Sequence, residues 1–430
     1  ILDCGGSPTV VTPPSGATAT TVLDGFTIRN GQYGIYCSSS SPSITNNTIS
    51  GNAGTGIDCY SSSPSITNNT ISGNGTGIDC EYSSSPSITN NTISGNGRDG
   101  IYCHSSSPSI TNNIVAFNAT GIRKDSISGA PVLRSNCVFN PDGTNYSGLA
   151  AGASDITADP KFQSAAYGKL HIQPGSPCVD AGLDSAVGPG WRDMDGQARI
   201  QGSHVDIGAD ESDGTVWPEY DPVIVRVSPD GVDDAAHDGS SWALARRTVQ
   251  ASIDAAKAMG GDVWVAAGVY KECIRLPAYV YLYGGFAGGG SSRDERDWGP
   301  NRTVLDGGGS GDVVTAAGGH RQSGIDGFTI RNGRYGIYCS SSSPSITNNT
   351  IAGNGSHGIR CDYSSPSITN NTISGNSSGG IYCFSSSPAI TNNTIAGNGE
   401  TGIWCYQNSS PTITNNTISG NGWDGIYCST

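Results

Sequence analysis

Isolated isoleucines separated by short polar runs dominate this chain. In residues 41–59, SPSITNNTISGNAGTGIDC, the apolar positions are Ile44, Ile49, Ile57 and Cys59. Ile57 and Cys59 are two residues apart, so in a strand they share one face while Asp58 points away from it. The Asn-Asn and Gly-Asn pairs favour turns because both residue types accept left-handed backbone angles. The segment therefore predicts three short β-strands joined by tight turns.

The same segment recurs at a nearly constant period. Successive cysteines of the phrase G-I-x-C are 22, 21 and 23 residues apart in one block and 22, 22, 22 and 23 apart in another. A fixed period in the low twenties is typical of a solenoid. Leucine-rich repeats share this period, but the sequence has neither their leucine ladder nor a helical pattern within the repeat.

Stacked turns of such a chain pair as parallel strands, and parallel crossovers are right-handed in nearly all cases. We therefore predict an all-β fold, a right-handed parallel β-helix with coils of about 22 residues, and one short capping helix near 248–259. An Asn amide in a turn is expected to bond the backbone or the Asn of the next coil. The predicted interior ladders consist of Cys37, Cys59, Cys80, Cys103, Cys339, Cys361, Cys383, Cys405, Cys428, Ile44, Ile66, Ile88, Ile346, Ile368 and Ile390.

The composition supports this prediction and reduces the range of binding partners to be expected. The chain has 62 glycines and only 13% charged residues, which favours an all-β chain rich in turns, and its regularly spaced Ile and Cys argue against disorder. The net charge of −14 disfavours nucleic acid, and 16 Asp/Glu against 5 Lys/Arg lie within residues 155–240. No apolar run approaches the roughly 18 residues of a transmembrane helix, so we expect no membrane-spanning segment.

Two blocks of repeats flank an irregular, acidic middle. The sequence of residues 23–49 returns almost unchanged at 325–351. The predicted organisation is coils at 1–154, an acidic closing segment at 155–215, a linker (near 212–222) and helix-capped opening segment at 216–335, and coils at 336–430. Ile1 and Thr430 both fall within coils, so we expect self-association into a head-to-tail filament, or a tandem array.

The phrase I-T-N-N-T-I-S-G-N-x-x-G-I resembles the repeat of the pectate-lyase-like, right-handed parallel β-helix superfamily, over residues 24–124 and 326–430. Residues 170–211 and 223–273 resemble the closing and opening segments of secreted bacterial β-helix proteins. The resemblance implies an extracellular or cell-surface protein. The superfamily includes pectate lyases, polygalacturonases and alginate epimerases, so the resemblance also raises the hypothesis of an enzyme.

Catalysis on a solenoid needs acids in one column of adjacent coils, joined by a basic residue or a calcium site. Asp58 and Asp79 form such a column, no Lys or Arg joins them, and both are expected to face solvent. We therefore predict no catalytic residue and favour an extracellular structural protein, a rigid fibre or surface stalk. The alternatives are a polysaccharide lyase or other carbohydrate-active enzyme, and a carbohydrate-binding adhesin.

The position between Ile and Cys in G-I-x-C varies, as an exposed position does. Aromatic rings there are candidate contacts for a polysaccharide or another partner, although drift at exposed sites explains the variation equally well. These candidates are Tyr36, Tyr102, Tyr338, Tyr382, Trp404 and Tyr427.

The sequence gives weaker evidence on glycosylation and metal binding than on the fold. Sequons inside the repeat follow from its turns, so the candidate glycosylation sites are those outside that register, Asn118, Asn145, Asn301 and Asn408. We predict no cofactor and no metal site, since the six histidines are scattered along the sequence. Three stretches rich in Asp and Gly fit either Asx turns or structural calcium, namely 192–199, 206–213 and 228–239. Free, buried thiols are favoured over disulfides for the ladder cysteines.

Overall fold

The computed structural model describes residues 1–3, 8–125, 128–257 and 260–429. The chain forms two compact units, unit 1 at residues 1–220 and unit 2 at residues 221–430. Their boundary falls in the stretch SDGTVWPEYDP, which the sequence predicts to be a linker.

Three parallel sheets make up the coils of each unit, and we name them after their recurring residues. The TIS sheet of unit 1 contains Leu2–Asp3, Thr27–Arg29, Thr48–Ser50, Thr70–Ser72, Thr92–Ser94, Ile114–Ala116 and Cys137–Phe139. Its cysteine sheet contains Thr9–Val11, Tyr33–Ser38, Thr55–Tyr60, Thr76–Glu81, Asp99–Cys103, Thr120–Lys124 and Thr144–Ser147. Its SIT sheet contains Val22–Asp24, Ser43–Thr45, Ser65–Thr67, Ser87–Thr89, Ser109–Thr111 and Val132–Arg134. An antiparallel pair, Phe162–Ser164 and Lys169–Ile172, follows these coils.

Unit 2 repeats this architecture. Its SIT sheet contains Val223–Val227, Gly261–Ala266, Val280–Phe286, Gly324–Asp326, Ser345–Thr347, Ser367–Thr369, Ala389–Thr391 and Thr412–Thr414. Its TIS sheet contains Gly268–Tyr270, Thr303–Asp306, Phe328–Arg331, Thr350–Ala352, Thr372–Ser374, Thr394–Ala396 and Thr417–Ser419. Its cysteine sheet contains Ile274–Arg275, Val314–Ala317, Ile337–Ser340, Ile359–Asp362, Ile381–Phe384, Ile403–Tyr406 and Ile426–Ser429. Short 3-10 helices occur at Ala165–Tyr167, Asp184–Ala186, Trp242–Leu244 and Arg293–Glu295.

Like residues stack on like residues from coil to coil. Cys59 pairs in register with Cys80, and Cys361 pairs with Cys383. The predicted ladder isoleucines, and the ladder cysteines other than Cys428, are at most 1% exposed. Cys428 is exposed because its strand, Ile426–Ser429, pairs with a strand on one side only. The all-β parallel β-helix predicted from the repeat is confirmed.

Asparagines connect the turns of successive coils. The first Asn of each Asn-Asn pair takes the left-handed backbone conformation, as at Asn46 with φ of 53°. The second is buried in every pair except the last, where Asn416 is half-buried. Asn47, for example, donates from its backbone N–H and its Nδ2 to Oδ1 of Asn69, at 2.9 and 3.1 Å. Such a ladder satisfies backbone groups that the turns leave without a partner in their own coil.

The predicted capping helix is confirmed at Val249–Ala256, and residues 258 and 259 of the predicted range lie outside the described residues. Thr248 caps it by accepting a hydrogen bond from the Ala251 N–H. Its buried face, Val249, Ile253 and Ala256, joins the hydrophobic core at the first coil of unit 2. In the described part of the chain, no helix has the length and hydropathy needed to cross a membrane.

The closing segment of unit 1 lies against the side of the coils. The Ala209 N–H donates to Oγ1 of Thr92, and Nδ2 of Asn68 donates to the Arg192 carbonyl. Thr92, in the TIS sheet, is therefore fully buried, whereas its counterpart Thr372 in unit 2 is exposed. This segment brings the acidic stretches 192–199 and 206–213 together.

Candidate functional site

One outward-facing column runs along each cysteine sheet, and we call it the outer column. It contains the residue between Ile and Cys in each coil, so it points away from the interior. The strand register aligns Tyr36, Asp58, Asp79, Tyr102 and Arg123 in unit 1. The register aligns Tyr338, Arg360, Tyr382, Trp404 and Tyr427 in unit 2. All six aromatic residues predicted as contacts thus lie in an outer column.

The outer column of unit 2 is mostly aromatic. The Tyr382 and Trp404 ring centroids are 5.5 Å apart, and those of Trp404 and Tyr427 are 6.0 Å apart, both in edge-to-face geometry. The Arg360 guanidinium lies 5.1 Å from the Tyr382 ring centroid and donates to the Asp362 carboxylate at 3.0 Å. The column therefore presents aromatic rings, and the charge of the neighbouring Arg360 is already balanced by Asp362.

A second aromatic column lies beside it in unit 2. The strand register places Asp362, Phe384 and Tyr406 in line, two residues beyond the outer column. The Phe384 and Tyr406 rings are 5.9 Å apart, and Tyr363 packs edge-to-face on Phe384 at 5.3 Å. These rings and the outer column form an aromatic face on the cysteine sheet.

The outer column of unit 1 contains two neighbouring carboxyl groups, the buried Asp58 and the half-buried Asp79. Asp58 is 8% exposed, and Oδ1 of both Asp58 and Asp79 is buried without a hydrogen-bond partner. The prediction that the pair faces solvent was therefore wrong for Asp58, whereas Asp79 keeps partial exposure. Burial, reinforced by the charge of Glu81, raises the pKa of Asp58 to about 7 and that of Asp79 to about 8. These groups hold protons at a pH where an ordinary Asp is ionised.

Basic and aromatic groups continue this cluster. Arg123 lies in the same column, with Nη2 3.3 Å from the Asp99 carboxylate and its guanidinium 4.4 Å from the Tyr102 ring centroid. The Tyr102 hydroxyl donates to Asp125, whose other oxygen is 2.9 Å from Nδ1 of His104. Arg123 contacts Asp99 and Tyr102, and Tyr102 lies between Arg123 and Asp79 in the column, so the expectation that no basic residue joins Asp58 and Asp79 stays a prediction. The sequence analysis did not place Arg123 in this column. The pattern that places it there is Gly121-Ile122-Arg123, which continues the G-I-x-C repeat without its cysteine.

The acidic stretches 192–199 and 206–213 adopt the Asx turns that the sequence allows. Oδ1 of Asp193 accepts the Asp195 and Gln197 N–H groups at 3.0 and 2.7 Å. The same fold brings His171, Asp195 and Asp210 together, with one ligand atom of each within 4.8 Å of the others. This is the one such group among the residues that the structure describes.

Comparison with known families agrees with the fold. A family described as a right handed beta helix region matches residues 14–159 and 314–430. The chain belongs to this family. The right-handed coiling that defines this family is the handedness expected for parallel β-strand crossovers. No curated protein matches the sequence.

Two solved structures were also compared with this right-handed β-helix. The PL6 family alginate lyase AlyGC is 13% identical with a TM-score of 0.27, over 98% of this chain and 77% of that chain. The periplasmic alginate epimerase AlgG is 10% identical with a TM-score of 0.25, over 92% of this chain and 76% of that chain. Likeness at this level does not bear on the function of the chain.

Within the β-helix, the candidate glycosylation sites differ in accessibility. Asn118 is 1% exposed, and its Nδ2 donates to the Ala116 carbonyl and to Asn140. Because that nitrogen is the atom a glycan would modify, Asn118 is the least accessible of the four candidates, and its modification stays a prediction. Asn145 and Asn301 are half-buried and Asn408 is exposed, and modification of these three stays a prediction.

The described cysteines are free thiols. Ten are buried, and Cys273 and Cys428 are exposed. Contact with the Cys103 and Cys59 thiols, together with burial, raises the pKa of Cys80 well above its ordinary value. Cys80 thus packs as a small, neutral side chain.

Proposed function

We propose that this protein binds a polysaccharide, and that the aromatic face of unit 2 holds the chain of sugars. The observation that carries the proposal is the contrast between the sheets of the same coils. The SIT and TIS strands from 345 to 419 point Ser, Thr and Ala outward, whereas the cysteine-sheet strands Ile381–Phe384 and Ile403–Tyr406 point Tyr, Trp and Phe outward. Aromatic side chains combine a flat apolar surface with a polar tip, which suits the faces and hydroxyls of sugars.

The charges around the aromatic face favour a neutral glycan. Arg360 is paired with Asp362, and Arg334 is paired with Asp312 at 2.9 Å. The chain as a whole carries a net charge of −14, which opposes approach of a polyanion. We therefore expect weaker binding to uronate polymers than to neutral polysaccharides of similar length.

Binding to immobilised neutral glucans, mannans, xylans and uronate polymers tests the proposal. We expect the full chain to bind at least one neutral polymer, with Trp404→Ala and Tyr382→Ala each weakening binding by about tenfold or more. Thr372→Ala, at an exposed position on the TIS sheet of the same unit, is the matched control and should bind like wild type. Binding that survives both aromatic substitutions would exclude the aromatic face as the site.

Cleavage of a glycan by unit 1 is a second candidate function. It is favoured by the neighbouring Asp58 and Asp79 carboxyls, whose raised pKa values suit a general acid or base at neutral pH. New reducing or unsaturated ends that disappear in Asp79→Asn, and persist in Asp24→Asn, would support it. Absence of turnover across the panel would leave unit 1 without a catalytic role.

The extracellular fibre or stalk expected from the sequence also stays a proposal. It is supported by the in-register stacking of nearly identical coils, which resists bending because every coil pairs along three sheets. Electron microscopy of the purified chain should then show thin, unbranched rods. Monodisperse single molecules at all concentrations would contradict assembly while leaving glycan binding untouched.

A further inference from the structure

Three side chains that commonly bind metal ions meet beside the strand Lys169–Ile172 of unit 1. His171 belongs to this strand, Asp195 to a turn, and Asp210 to the end of the closing segment. Nε2 of His171 is 3.1 Å from the Asp195 carboxylate. The three residues come from separate segments, so the tertiary fold creates the group.

The surrounding structure holds these groups in place. The Trp217 ring packs on the His171 imidazole with centroids 4.2 Å apart. The two hydrogen bonds that Asp193 accepts fix the turn that carries Asp195. Oδ2 of Asp210 accepts the Ile172 N–H at 2.7 Å. Such supporting contacts are what orient ligands around a bound metal.

Asp210 lacks the partner that a buried carboxylate requires. It is 2% exposed, and among the described residues it has no cation within ion-pair distance. Its Oδ1 accepts no hydrogen bond from those residues. Buried carboxylates are normally paired or bound to a metal, because burial of an isolated charge is costly. This oxygen therefore remains open to a positively charged partner beside His171 and Asp195.

We propose that His171, Asp195 and Asp210 bind one divalent transition-metal ion, with Zn²⁺ preferred. Zn²⁺ accepts one imidazole nitrogen with carboxylate oxygens, whereas Ca²⁺ and Mg²⁺ prefer ligand sets made of oxygen alone. Tetrahedral zinc with ligand distances of about 2.0–2.2 Å holds ligand atoms about 3.3–3.6 Å apart. The three ligand atoms lie within 4.8 Å of one another, so binding draws the most distant pair together by about 1 Å. Three protein ligands leave a coordination position open. The proposed ion thus differs from the calcium that the acidic stretches suggest on their own.

Calorimetric titration of the metal-free full chain with Zn²⁺, Mn²⁺ and Ca²⁺ tests this proposal. Exposed thiols such as Cys273 and Cys428 are alkylated first, so that they do not bind zinc. His171→Gln and Asp195→Asn are the test variants. His204→Gln is the matched control, because the His204 imidazole contacts the Asp184 carboxylate at 2.9 Å and lies outside the group of His171, Asp195 and Asp210.

We expect one Zn²⁺ per wild-type chain, bound more tightly than Ca²⁺. Loss of even a supporting partner weakens known sites by about 10- to 100-fold, so each test variant should bind Zn²⁺ at least that much more weakly. The control should bind like wild type, and zinc X-ray absorption should show nitrogen and oxygen ligands without sulfur. Absence of saturable binding by the alkylated wild type, or equal binding by a test variant of native circular dichroism, would overturn the proposal.

Discussion

At the residue scale, the asparagine ladder carries polar bonding from one coil to the next. Oδ1 of Asn371 accepts the backbone N–H and Nδ2 of Asn349 at 2.9 and 3.1 Å, and its Nδ2 donates to the Ile346 carbonyl at 2.8 Å. Asn371→Ala leaves these buried groups without partners, at about 1–3 kcal/mol for each group that water cannot reach. We expect a clearly lower thermal midpoint for this variant by calorimetry. The exposed substitution Thr372→Ala should leave the midpoint within about one degree.

The half-buried Asp79 should make the stability of the fold depend on pH. Its folded-state pKa of about 8 lies above the ordinary value, so its contribution is fully present below about pH 4 and is lost as pH rises through 8. The groups acting on it are Glu81, Asp58, Asp99 and Arg98. Asp79→Asn stays neutral and should match wild type at pH 4 but exceed its unfolding free energy by at least about 1 kcal/mol at pH 8.5.

Thermal unfolding at the two pH values measures this difference. Asp24→Asn, at an exposed position on the SIT sheet of unit 1, is the control and should show no gain at high pH. A gain for Asp79→Asn that is equal at both pH values would mean that packing, and not ionisation, is the cause.

At the element scale, the stability of the helix of unit 2 depends on Glu272, an acidic residue outside the helix. Oε1 and Oε2 of Glu272 accept the N–H groups of Val249 and Gln250 at 2.9 and 3.1 Å, where the helix dipole is positive. Glu272→Ala should destabilise the opening of unit 2 by about 1–3 kcal/mol and speed hydrogen exchange across 248–257. Asp254→Ala, exposed within the same helix, should change exchange little. Equal exchange in the two variants would contradict this role of Glu272.

The sequence was enough to predict the strands, the ladders and the helix, because each follows from a local pattern repeated many times. The placement of the closing segment did not follow from it. Thr92 and Thr372 belong to the same TIS phrase, yet one is buried under Ala209 and the other is exposed. Long-range packing decides between them, and the repeat has no local signal for it.

The candidate sites show the same division. The outer columns were predictable, because the register of G-I-x-C aligns residues one coil apart. The burial of Asp58 was not, since alternation along a strand gives direction and not solvent access. The group of His171, Asp195 and Asp210 depends on three segments meeting, for which spacing along the chain gives no guide.

At the scale of the whole molecule, the coils of unit 2 should be removable one at a time. Deleting residues 367–388 joins Pro366 to Ala389, and Asn349 then meets Asn393 as it met Asn371 before. We expect a folded chain with an unchanged circular dichroism spectrum per residue and a modestly lower thermal midpoint. Deleting 367–377, which is half a coil, should destroy the register and cause rapid proteolysis. Similar behaviour of the two deletions would contradict the ladder model of stability.

The interchangeable coils also affect how the gene can change. Where SSSPSITNNTISGN is encoded at residues 61–74 and again at 83–96, the DNA offers matched sites for unequal recombination. A crossover between such sites adds or removes one whole coil, and the product inherits complete ladders. The length of the protein can therefore change in steps of one coil. Each product still folds, so selection does not remove it for instability. We expect sequenced populations to differ in repeat number far more often than in the residues of the ladders.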